Sequence, residues 1–198
     1  IALASVTEGE DTISFDSSLE GGTIVFNESL NRELTISGGV IIDGLGQDNL
    51  TLDGGFIFKL AESDADLNID DLNIVGGAID SFGDLTLTNS TIAQTRGTLD
   101  SGSDNSSIIS RQTLNISDSS IVDSSGGDNL GILIESGTAN IENSTIANHE
   151  GVLGGSGVLI LSDETVNITN STIANNQNRF VGGVANAGGG EVNISNST

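Results

Sequence analysis

Carboxylates are the residues best supplied for chemistry in this sequence. Of its 198 residues 28 are Asp or Glu and only five are Lys or Arg, for a formal net charge of −23. Asp, Glu and carbonyl oxygens gathered together suit a hard cation such as Ca2+. The acidic stretches 43–49 and 62–71 put forward Asp43, Asp48, Asp64, Asp66 and Asp70 as candidate ligands, and 100–105 is a third such stretch. The competing reading is a set of solvated acidic loops. Two carboxylates held at a fixed separation are also the machinery of glycoside hydrolysis, and Asp43, Asp53 and Asp70 are the residues that could line one face. A polysaccharide lyase needs a cationic base beside its substrate. Here Arg32, Lys59, Arg96, Arg111 and Arg179 are scattered, and there is no Trp or Tyr to form a sugar platform. The expectation is therefore no catalytic residue. His149, the sole histidine, sits beside Asn148 and Glu150 and reads as exposed. Phe56, Phe58 and Phe82 read as core, and Phe180 as the aromatic free to touch a partner.

Charge and composition exclude other classes. A surface this acidic repels nucleic acid and anionic lipid. Apolar stretches such as 158–161 fall far short of the ~20 residues that span a bilayer, so no membrane insertion is expected in this segment. The absence of cysteine removes disulfides and thiolate metal sites. The sequence begins without Met and stops inside a repeated phrase, which predicts a piece of a longer protein.

The elements that must position these residues come from that phrase. It starts at Leu34, Leu50, Leu67, Leu85, Leu114, Ala139, Val166 and Val192, with apolar residues at the first and third places and, in the seven phrases that reach it, the eighth. A period of two broken once by a longer step means two short strands meeting at a corner. The corner carries Gly, Asp or Asn, which tolerate a left-handed backbone. Further short strands fit the spacers, as at 132–134 and 158–161. A stack of such turns is a right-handed parallel β-helix, an all-β solenoid of about ten coils and roughly 45 Å at ~4.8 Å per coil. Residues 1–10 are expected to form a short capping segment, and 11–198 the helix. The phrase spacing predicts tight coils to about residue 94 and longer, looped coils afterwards, with loops at 95–105 and 123–129. At the fifth place stand Asp71, Asn89, Asp118, Asn143, Asn170 and Asn196, read as a ladder of side chains bonded from coil to coil. The second and seventh places are rich in Thr and Asn without forming a pure threonine face of the kind that orders ice.

These residues resemble a family. Asp11 to Phe15, the Gly-Gly pairs at Gly76 and Gly182, and the Asn-Ser-Thr-Ile runs starting at Asn89, Asn143 and Asn170 are similar to bacterial surface proteins of the polymorphic outer-membrane and choice-of-anchor repeat type. The similarity extends over nearly the whole length. It implies a non-catalytic structural or adhesive module, extracellular or at the cell surface, with other surface proteins or glycans as partners. A carbohydrate-binding or carbohydrate-cleaving β-helix is the first alternative. A self-assembling filament or layer component, joined end to end through strand edges, is the second.

Overall fold

In the computed structural model, residues 9–26, 33–46, 48–55, 57–95, 106–125, 130–151, 157–177 and 182–198 are described. Among the described residues twenty-two strands, numbered in chain order, form three parallel sheets. The first holds β1 (Asp11–Ser14), β4 (Gly39–Asp43), β7 (Asp66–Asp70), β10 (Asp84–Thr88), β13 (Leu114–Ser117), β16 (Ala139–Glu142), β19 (Val166–Thr169) and β22 (Val192–Ser195). The second holds β2 (Gly22–Val25), β5 (Leu50–Asp53), β8 (Asn73–Val75), β11 (Thr91–Ala93), β14 (Ser120–Val122), β17 (Thr145–Ala147) and β20 (Thr172–Ala174). The third holds β3 (Glu33–Ile36), β6 (Ile57–Leu60), β9 (Ala78–Ser81), β12 (Ser106–Ser110), β15 (Leu130–Ile134), β18 (Val158–Ile160) and β21 (Val184–Asn186). The chain visits the sheets in strict rotation, so every third strand stacks on the one before. This is the expected parallel β-helix.

Alternation does the sorting. Ile42, Ile69, Leu87, Ile116, Ile141 and Ile168 lie one above another in the first sheet and are all buried. Ile74, Ile92, Ile121 and Ile146 do the same in the second, and Phe58, Ile79, Ile108, Ile132 and Val158 in the third. Each fully buried aliphatic side chain contributes about 1.5–3 kcal/mol, but only where a neighbour covers it. Ile168 is completely buried, whereas Ile194, above it in β22, is 53% exposed. Among the described residues no helix is long and apolar enough to cross a membrane.

The coil count and the coil lengths differ from the sequence expectation. The described strands make seven full coils and one further strand, about 34 Å at ~4.8 Å per step. Successive partners Ile13, Ile42, Ile69, Leu87, Ile116, Ile141, Ile168 and Ile194 are 29, 27, 18, 29, 25, 27 and 26 residues apart. Only the coil from β7 to β10 is tight. The cause is the phase of the phrase. From Leu67 onward it crosses from first sheet to second, but the phrase at Leu34 runs from β3 to β4 and the one at Leu50 from β5 to β6. Any corner between alternating strands prints the same apolar spacing, so the phrases at Leu34 and Leu50 mark two corners of one coil and not two coils. Residues 1–8 of the expected capping segment 1–10, and residues 96–105 and 126–129 of the expected loops, lie outside the described residues.

Candidate functional site

The five candidate cation ligands do not converge. Asp43 closes β4 directly beside Asp70, which closes β7. Asp66 opens β7, at the far end of that strand and level with Asp84. Asp48 lies in the connection between β4 and β5, and Asp64 in the turn before β7. Among the described residues no group of three or more His, Cys, Asp or Glu is arranged to hold a metal. What forms instead is an acidic corner of Asp43, Asp70 and Asp71. Burial, then Asp71 and Asp43, push the Asp70 carboxyl above the usual aspartate value. One of its oxygens, Oδ1, is shut from solvent with no hydrogen-bond partner among the described residues.

The corner between the first and second sheets is where the side-chain ladder was expected. Asp71, Asn89, Asp118, Asn143, Asn170 and Asn196 all have φ between 45° and 55°, the left-handed conformation that Asn and Asp tolerate. Their backbones join the stack, as when Asn89 N–H donates to Ser117 O and Asn143 N–H to Thr169 O. From Asn89 onward their side chains point into solvent. The ladder belongs to the next residue. The N–H groups of Leu72, Ser90, Ser119, Ser144 and Ser171 donate to the Oγ of Ser90, Ser119, Ser144, Ser171 and Ser197, one coil on, at 3.1–3.2 Å. Each hydroxyl in turn donates to the carbonyl two residues back, at 2.7–2.8 Å. A left-handed residue turns its own side chain outward and its successor inward, so the small hydroxyl is the group that meets the next coil. The Asn-Ser pair in the sequence carried this signal; the serine was the half that mattered.

A second polar column follows the second sheet. Gln94, Asp123, Asn148 and Asn175 are left-handed, with φ of 53–61°, and Thr95, Ser124, His149 and Asn176 come next. Thr95 N–H donates to Ser124 Oγ at 3.2 Å, and His149 N–H to Asn176 Oδ1 at 3.1 Å. Thr95 Oγ1 donates to Gly77 O, and Asn176 Nδ2 to Ile146 O. His149, expected to be exposed, is 2% exposed, because its place in the column is interior. Room comes from the facing strand. A Cβ on Gly131 would lie 2.7 Å from His149 Nε2, and one on Gly157 2.5 Å from Asn176 Nδ2. In the coil below the pair is Ser107 with Ser124, whose hydroxyls are 2.8 Å apart.

Two further networks lie on the outside. Asn140, Asn167 and Asn193 each donate an amide N–H to the Oδ1 of the asparagine one coil earlier, Asn115, Asn140 and Asn167, at 2.9–3.2 Å. An asparagine ladder therefore exists on the solvent face of the first sheet, in the phrase's second place rather than its fifth. Arg111 links Asp80 and Glu135 and lies 4.2 Å from the centre of the Phe82 ring. Burial lowers its guanidinium pKa, and the two carboxylates more than offset that. Lys59 pairs with Glu33 at 3.2 Å; Arg32, Arg96 and Arg179 lie outside the described residues. Of the aromatics, Phe58 is core as expected, while Phe82 is 42% exposed beneath Arg111. Phe56 and Phe180 are not among the described residues.

These features define the chain as a parallel β-helix held by an internal serine ladder and an outer asparagine ladder. No family model matches it, and no curated protein matches it. Among solved structures it is similar to the A-module of the Azotobacter vinelandii mannuronan C-5 epimerase AlgE4, with 14% identity over 100% of this chain and 70% of that one and a TM-score of 0.38.

Proposed function

We propose that the chain is a non-catalytic structural or adhesive module of a larger extracellular bacterial surface protein, of the polymorphic outer-membrane and choice-of-anchor repeat type. The observation that carries this reading is the serine ladder. It runs from Leu72 to Ser197, and its hydroxyls are committed twice over, accepting from a backbone N–H of the coil before and donating to the carbonyl two residues back. Polar side chains are thus used to lock coil to coil, which suits a stiff element whose task is to hold a distance or present a surface. Arg111 and Lys59 are likewise engaged by carboxylates of other coils.

The test is to incubate the purified chain with acidic and neutral glycans and follow new reducing ends and unsaturated uronate. The reading expects no product, and retention of intact glycan on immobilised protein supports its adhesive form. Release of product overturns it in favour of a carbohydrate-cleaving β-helix. Light scattering addresses the filament alternative: mass growing with concentration would replace a spacer by a self-assembling layer.

A further inference from the structure

The interior corner at His149 holds a group that nothing in a spacer requires to be ionisable. Its Nε2 lies 3.0 Å from Ile121 O. A carbonyl only accepts, so Nε2 carries the proton and Nδ1 is the bare nitrogen. That Nδ1 is buried and has no hydrogen-bond partner among the described residues. The ring is wedged over Gly131, where even a methyl group would collide with it. A second proton has to enter at Nδ1, at a point with no acceptor. The charge must then either stay buried unpaired, at a cost of several kcal/mol, or leave with the ring.

The surroundings offer little compensation. From the coil before come Ser124, Ile121 and Asp123, whose carboxylate accepts from Asn148 Nδ2 at 2.9 Å. From the coil after come Asn175, Asn176 and Gln177, and from the third sheet Gly131 and Gly157, all uncharged. Glu150 is the adjacent acid on the same coil. The backbone around the ring is a narrow bridge of three residues, Ser125, Glu150 and Gln177. Glu150 N–H donates to Ser124 O, Gln177 N–H to His149 O and Gly151 N–H to Gln177 O.

We propose that His149 is an acid-sensitive pin: neutral, it fastens the corner between the second and third sheets, and on protonation it releases the bridge of Ser125, Glu150 and Gln177 while the serine ladder stays closed. The sign follows from burial. Desolvation pulls the imidazole below its usual value of 6.5, against the Ile121 bond and Asp123, which pull upward. The released state binds the proton more readily than the closed one. Closure is therefore at full strength above about 6.5 and weakens as pH falls from there toward the lower value of the closed state.

This is the only histidine in the chain, so its imidazole signals can be assigned in the intact protein without a variant. NMR should show the Nε2–H tautomer and a titration midpoint below 6.5. Hydrogen exchange at the Glu150, Gly151 and Gln177 amides, corrected for chemical rate, should rise by up to about tenfold per pH unit through that window. Ser119 and Ser144 amides should not follow. His149→Asn, which copies Asn176, should abolish the rise. A midpoint at or above 6.5, or an equal rise at the serine ladder, overturns the proposal. So does an Asn variant with the wild-type pH response; if that variant does not fold, the wild-type titration and exchange still decide.

Discussion

Ser144 lies at the middle of the serine ladder and is the place to weigh it. Its side chain is buried, its Oγ accepts from Ser119 N–H at 3.2 Å, and it donates to Glu142 O at 2.7 Å. In Ser144→Ala the two partners suffer unequally. Glu142 O keeps its bond from Asp118 N–H at 3.2 Å, so it is not orphaned. Ser119 N–H loses its acceptor inside the stack, where water does not replace it. Leaving a buried donor unpaired costs about 1–3 kcal/mol. At ~2–4 °C per kcal/mol for a chain of this size, a central value of about 2 kcal/mol lowers Tm by about 4–8 °C. The control is Asn143→Gly. Its φ of 52° suits glycine and its side chain is exposed, so the change should stay within about 0.5 kcal/mol. Both variants are melted by circular dichroism, and exchange at the Ser119 amide is followed, which should quicken only in Ser144→Ala. If Ser144→Ala melts with the wild type, or Asn143→Gly costs as much, the assignment of the ladder to serine is wrong.

Two other expectations concern the corners. Gly131→Ala would place a Cβ 2.6 Å from Gly157 O and 2.7 Å from His149 Nε2, an overpacking worth about 1–3 kcal/mol. In a His149→Ser background part of that cost should vanish, so a double-mutant cycle by thermal unfolding should show coupling, and strict additivity would deny the fit of glycine to histidine. At the acidic corner, burial and its neighbours raise Asp70, so its contribution to stability is present below the unfolded value near 3.8 and lost as pH rises through the folded one. Asp70→Asn should therefore raise Tm at pH 7, with the gain shrinking toward pH 3.5. Melts with calcium and with chelator extend the test: a Tm of the native chain that rises with calcium, and a loss of that rise in Asp70→Asn, would show a cation site at Asp43 and Asp70.

Local sequence already determined a good deal. Inward Leu, Ile and Val at alternate places, broken once by a longer step, specify short strands and corners wherever they occur, because side-chain direction in a strand is a local property. Asn and Asp at Asn89, Asp118, Asn143 and Asn170 specified left-handed corners for an equally local reason, their tolerance of positive φ. Register is not local. Whether Leu34 and Leu50 begin new coils or mark other corners of the same coil depends on which strands pair, across separations of 18 to 29 residues. Only stacking decides that. The same stacking placed Ser90, Ser119, Ser144 and Ser171 inside and Asn115, Asn140 and Asn167 in an outer ladder. It also put His149 in the interior, because Gly131 of a neighbouring strand leaves the volume the ring needs.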